Sequence, residues 1–246
     1  SVTYAAGGKF AYGIGRAGGP PMFPTTEPTY GLSGAIAKGG GGAGGGIPSG
    51  TTGGGGNGGP GFVAIRYALA SIDTAKATGG EISTYNSKTI HTFRNPGTFA
   101  TAPTWSSVNV EYVVIGGGAG GGRDDGGGGG AGAYREGTTP IGAHPVSTTI
   151  EVGTGGMWDF GPGAGEIGYG KGGTSQFGPT ITALGGGPGG TDPGTSNGYA
   201  GGSGGGGAGG FPDGSGGTAS GDPYPGTRTD PVPANGWGHP GGSGRD

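Results

Sequence analysis

Glycine supplies 76 of the 246 residues, 29 % of the chain is hydrophobic, 11 % is charged, and the formal net charge is −3. An ordinary globular domain is roughly 45–50 % apolar even with glycine counted in, so any side-chain core here is small and local. The charge pattern offers no basic stripe for nucleic acid, no apolar run of about 18 residues spans a membrane as a helix, and a chain without cysteine must draw its stability from topology, backbone hydrogen bonds or assembly.

In chain order, the first motif met is Gly13-Ile14-Gly15-Arg16-Ala17-Gly18, which fits a phosphate-binding pattern. It carries no weight, because glycine at this density produces such matches by chance and the strand before and helix after it are missing. Glycine runs begin at 39–46, and their spacing is often three: Gly50, Gly53, Gly56 and Gly59, later Gly117 and Gly120, Gly126, Gly129 and Gly132, then Gly201, Gly204, Gly207 and Gly210. Three residues per turn is the polyproline II period, and glycine at every third position lets such helices approach with no side chain between them. An isolated helix of this kind has no internal hydrogen bonds, so it forms only in a bundle whose members satisfy one another. The alternative is a flexible glycine linker; the short runs bounded by strands and proline turns favour the bundle.

Strands are predicted at 61–67 (GFVAIRY), 79–85 (GGEISTY), 88–93 (KTIHTF), 97–102 (GTFATA), 107–115 (SVNVEYVVI), 146–152 (VSTTIEV) and within 174–184 around Phe177 and Ile181. Val108, Val110, Tyr112 and Val114 alternate, as on one face of a half-buried strand. Asn86-Ser87 and Asn95-Pro96-Gly97 are turn chemistry, so the strands between 79 and 102 are expected to form a meander of hairpins. Residues 68–78 (ALASIDTAKAT), almost without glycine, read as a linker. The chain thus divides into a closing part at 1–67, the linker, a strand-rich opening part at 79–184, and glycine- and proline-rich loops at 185–246. The expected fold is mainly β and irregular: a small antiparallel β region joined to a layered polyglycine II-like bundle, with almost no α-helix.

Little here supports catalysis. His91, His144 and His239 are far apart and show no zinc-ligand spacing, and no catalytic constellation can be argued from the order of residues. No cofactor and no metal are expected; the weak exception is Asp124-Asp125, whose carboxylates beside backbone carbonyls would suit calcium, against the blander reading of a solvated turn. Aromatic residues in irregular loops, Trp158, Phe160, Tyr199, Phe211, Tyr224 and Trp237, are candidates for contact with sugars or partner chains, or else caps that shield the glycine bundle. Phe93, Phe99, Tyr112 and Val114 read as core.

The segments GGEISTYNSKTIHTF, GTF, VEYVVIGGGAGGG, GGGGGAGAYREG, TIEVGTGG, TSQFG and ITALGGG, with a closing GGPGFVAIRY, resemble the glycine-rich domain of bacteriophage tail fibres and other large phage or bacterial surface proteins. The order is permuted: 79–246 resembles the first part of that domain and 1–67 its end. The resemblance implies a receptor-binding or structural role at the outside of a particle and supplies no catalytic site; the proline-rich loop 221–237 departs from it. A permuted unit fits one period of a tandem array, or a subunit whose Phe62, Val63, Ile65 and Tyr67 add a strand to the next copy's open sheet edge. Either is a head-to-tail contact that propagates into a filament unless it closes. The expectation is an extracellular fibre subunit or repeat that partners copies of itself; the alternative is a tail-fibre receptor-binding domain that recognises bacterial surface glycan or protein.

Overall fold

A computed structural model describes residues 39–45, 53–69, 75–158, 170–192, 196–209, 213–219 and 236–244. Among them are ten strands: β1 (Phe62–Ala68), β2 (Ala77–Thr78), β3 (Glu81–Tyr85), β4 (Lys88–Phe93), β5 (Gly97–Thr101), β6 (Val108–Ile115), β7 (Tyr134–Ile141), β8 (Ser147–Glu151), β9 (Ser175–Phe177) and β10 (Ile181–Ala183). They form two five-stranded antiparallel sheets, in the orders β3-β4-β1-β6-β7 and β10-β9-β8-β5-β2. Alternation decides what is buried. Val63, Ile65 and Tyr67 of β1, His91 and Phe93 of β4, and Val110, Tyr112 and Val114 of β6 face inward, and Phe99, Ile150, Phe177 and Ile181 of the second sheet meet them. Aromatic rings carry much of this small core: Phe99 lies edge-on to His91 at 5.1 Å, to Trp105 at 5.8 Å and to Phe177 at 6.3 Å.

The predicted meander is half correct. Asn86 and Ser87 adopt φ of 48° and 57°, the paired left-handed geometry of a two-residue hairpin turn, and β3 pairs with β4 through all five of its residues. The next turn makes no hairpin, because β5 crosses to the other sheet and pairs with β8 and β2. Two strands were not anticipated. β7 (YREGTTPI) carries glycine, proline and two charges and shows no clean alternation, yet it pairs with β6 along its full length. β2 lies inside the stretch read as linker.

Six strands continue without a break into glycine segments. Residues 53–61 run into β1, 126–133 into β7 and 170–174 into β9, while 116–122, 152–158 and 184–192 leave β6, β8 and β10. Residues 116–122 sit at the centre of the bundle. The N–H groups of Gly116, Ala119 and Gly122 donate to the carbonyls of Ala133, Gly130 and Gly127, those of Gly117 and Gly120 to Gly173 and Gly170, and those of Gly118 and Gly121 to Gly59 and Gly56. In return, the Gly117 and Gly120 carbonyls accept from Gly186 and Gly189, those of Ala119 and Gly122 from Gly42 and Gly45, and that of Gly118 from Gly156. These bonds measure 2.8–3.1 Å. Successive residues thus address different neighbours with a period of three, and one rod is bonded to six others: it donates to three antiparallel segments and accepts from three more. The approach is too close for side chains. A Cβ added at Gly118 would lie 2.0 Å from the Gly40 carbonyl oxygen, and one at Gly121 2.0 Å from that of Ala43.

Candidate functional site

The glycine rods have two different ends. One merges with the sheets; at the other the segments turn back. Gly45 donates to Gly122, Gly126 to Gly45, Asp124 to the Gly53 carbonyl, Asp192 to that of Arg123 and Gly209 to that of Asp125. These bonds gather the far ends of several segments around the turn Arg123-Asp124-Asp125. Asp124 and Asp125 hold φ of 48° and 50°, the left-handed region that short polar side chains tolerate. Asp124 is 3 % exposed; its Oδ1 accepts the Gly53 N–H at 2.9 Å and its Oδ2 lies 3.9 Å from Arg123 Nη1. The carboxylate that sequence offered to calcium thus ties a hairpin of the bundle to its neighbour. Among the described residues no group of three or more His, Cys, Asp or Glu could hold a metal ion.

The aromatic candidates do not form one platform. Trp158 is half-buried at the far end, where its N–H donates to Asn57 Oδ1 at 2.9 Å, and the adjoining Met157 is 50 % exposed. Tyr199 is half-buried part-way along the rods, its N–H donating to Pro188 and its carbonyl accepting from Gly205. Trp237 lies at the sheet end. It is 6 % exposed, stacks on Tyr134 at 6.1 Å and 20°, and exchanges two backbone hydrogen bonds with it. Its buried ring lies at the start of β7, where the glycine segment 126–133 enters the sheet. Phe160, Phe211 and Tyr224 lie outside the described residues. Met157 escaped the sequence reading because a methionine between glycine and tryptophan has no period to mark it as exposed.

Phe62, Val63, Ile65 and Tyr67 are all buried in β1, and β1 pairs within its own chain, with β4 on one side and β6 on the other. Addition of this strand to another copy would require it to leave that central place. The ladder also builds a polar contact that sequence did not indicate. Tyr67 O–H donates to His91 Nε2 at 3.0 Å, while His91 Nδ1–H donates to the Gly79 carbonyl at 2.7 Å. Burial pushes the His91 imidazole below its ordinary value, opposed by the Gly79 carbonyl, and pushes the Tyr67 phenol up. On the outer face of the same sheet Glu111 meets both Lys88, at 2.7 Å, and Arg66; the Lys88 ammonium, with Arg66 helping, holds its carboxyl below the usual range.

Neither the curated proteins nor the solved structures contain a match to this chain. Residues 93–246, more than half of the 246, match the glycine-rich domain family, a stretch that covers the central rod, the far-end turn and all of the second sheet except β2. With the strand-to-glycine continuity described above, this places the chain in the glycine-rich domain family.

Proposed function

We propose that the chain is a non-enzymatic extracellular receptor-binding module of the tail-fibre type, which presents a recognition end to bacterial surface glycan or protein. The observation that carries this reading is the polarity of the bundle: backbone-bonded rods rise from two sheets, and the ends of several described segments gather at the opposite end around the turn at 123–125. A binding surface needs its contact residues held still, and a lattice in which each rod bonds to several others holds them with little freedom left to lose on binding. Met157, exposed, and Trp158, half-buried, give that end an apolar contact beside the hydrogen-bonding Asn57. The pairing of β1 in its own chain supports a self-contained module.

The test is adsorption of the purified protein to bacterial cells and to a glycan array. Replacement of both Met157 and Trp158 by alanine is expected to weaken binding by about tenfold or more with the melting temperature unchanged. Undiminished adsorption would overturn the reading.

A second reading, a fibre subunit or repeat that partners copies of itself head to tail, is favoured by one observation. The outer segment 236–244 exposes His239, Pro240, Gly242 and Ser243, and Gly242 has nothing within 4 Å of where a Cβ would stand. Glycine at such a position suits continuation of the lattice into another copy. Negative-stain images of filaments, with cell adsorption absent, would select this reading over the first.

A further inference from the structure

Among the described strands, four lie at sheet edges, and three of them are closed to pairing. β2 has two residues; β10 has three, with the carbonyl of Thr180 just before it and that of Thr182 at its centre accepting from Arg135 Nη1 at 3.2 and 3.3 Å. β7 carries Pro140 and is bridged by Trp237. β3 differs from all of these. Its five residues are exposed, it contains neither lysine nor proline, its ladder to β4 runs without a bulge, and two large apolar side chains stand open on it: Ile82 at 45 % and Tyr85 at 76 % exposure. Native edges are ordinarily blunted by charge, proline, bulges or brevity, so an open edge of this length is an invitation to pair.

We propose that β3 docks a second copy of this chain, antiparallel to its own counterpart and centred on Ser83. Hydrogen-bond phase and charge both select this partner. In a two-residue hairpin the residues flanking the turn exchange hydrogen bonds, so Tyr85 bonds to Lys88 and, by alternation, Ser83 to Ile90 and Glu81 to Thr92. The N–H and C=O groups of Ile82 and Thr84 therefore point outward. Two copies placed antiparallel about Ser83 set Ile82 opposite Thr84 twice, which matches all four outward donors and acceptors. The same register sets Glu81 opposite Tyr85, so no two carboxylates face each other and each Tyr85 ring gains a neighbour. Centring on Ile82 or Thr84 instead brings a turn residue or Gly80 into the ladder. The contact is isologous and closes at two copies. It does not depend on the receptor-binding reading, although a pair would present two recognition ends to one cell surface and gain avidity.

The experiment is the mass of the full chain in solution as a function of concentration, by analytical ultracentrifugation. The wild type is expected to move from 23.0 kDa toward twice that mass. Thr84→Pro removes an outward N–H and leaves the hairpin ladder intact, so it should raise the dimer dissociation constant by about tenfold or more with the melting temperature preserved. Ser83→Lys and Ser83→Glu place like charges face to face, so each alone should be monomeric and an equimolar mixture should recover the dimer. A wild type that stays monomeric at every concentration, a Thr84→Pro dimer of unchanged strength, or a charge-swapped mixture that fails to associate would each overturn the proposal.

Discussion

A glycine in this chain is replaceable or not according to where a carbonyl oxygen lies. At Gly118 an added Cβ would meet the Gly40 carbonyl at 2.0 Å, whereas at Gly242 it would meet nothing within 4 Å. Gly118→Ala is therefore expected to destabilise the fold by about 3 kcal/mol, the upper range for an overpacked core, and Gly242→Ala to stay within about 0.5 kcal/mol. Denaturant unfolding of the two variants checks this, and equal effects would sink the lattice account. Composition could not make the distinction, since Ala43, Ala119 and Ala208 are fully buried in the same bundle and accommodated. His91 makes the second residue-scale prediction. It is fully buried and bonded on both ring nitrogens, with a folded-state pKa below that of the unfolded chain. Stability from the neutral ring is complete above the unfolded value near 6.5 and declines as pH falls below it, because the unfolded chain then binds the proton that the folded one refuses. The denaturation midpoint should drop over that window in the wild type and less in His91→Gln.

At the scale of elements, legibility followed burial pattern. β1 and β6 were readable because inward apolar residues alternate with outward Ala64, Arg66 and Glu111, whereas β4, which buries the polar Thr89 and His91 and turns Ile90 outward, was legible from its β-branched and aromatic residues between turn signals. β7 was not, since its pairing comes from β6 on one side and Trp237, over a hundred residues away in sequence, on the other. The turn at 94–96 was legible as a turn, but its destination was not: local chemistry sets the bend, and only the packing of Phe99 against the first sheet sends β5 across. Turn chemistry also yields a prediction. Ser87 holds a φ of 57°, a left-handed geometry that costs a non-glycine residue about 1 kcal/mol. Ser87→Gly completes the favoured Asn-Gly pair and should raise the melting temperature by several degrees; a fall would mean that the side chain makes a contact stronger than the strain it relieves.

Over the whole molecule, sheets and rods stabilise one another. Six strands continue into glycine segments, so loss of the sandwich would release the ends that hold the rods in register, and loss of the rods would expose the base of the sandwich. Amide exchange should report this unity. The amides of Gly118 and Gly121, bonded at the centre, are expected to exchange only through global opening, as slowly as those of Val63 and Ile65 in β1, while Gly242 on the outer segment exchanges fast. Fast exchange at Gly118 with slow exchange in β1 would separate the two parts. The period of three, the scarcity of apolar residues and the alternation in β6 were enough to specify a backbone-bonded bundle beside a small β core, because those features follow from single-residue geometry. The partner of each rod, the glycines that must lack a side chain, the burial of Trp237 against Tyr134 and the placing of β1 between β4 and β6 were settled by the tertiary structure alone. Glycines are chemically identical, so a run of them carries no label for its neighbour; the strands to which the rods are joined supply that label through their registers.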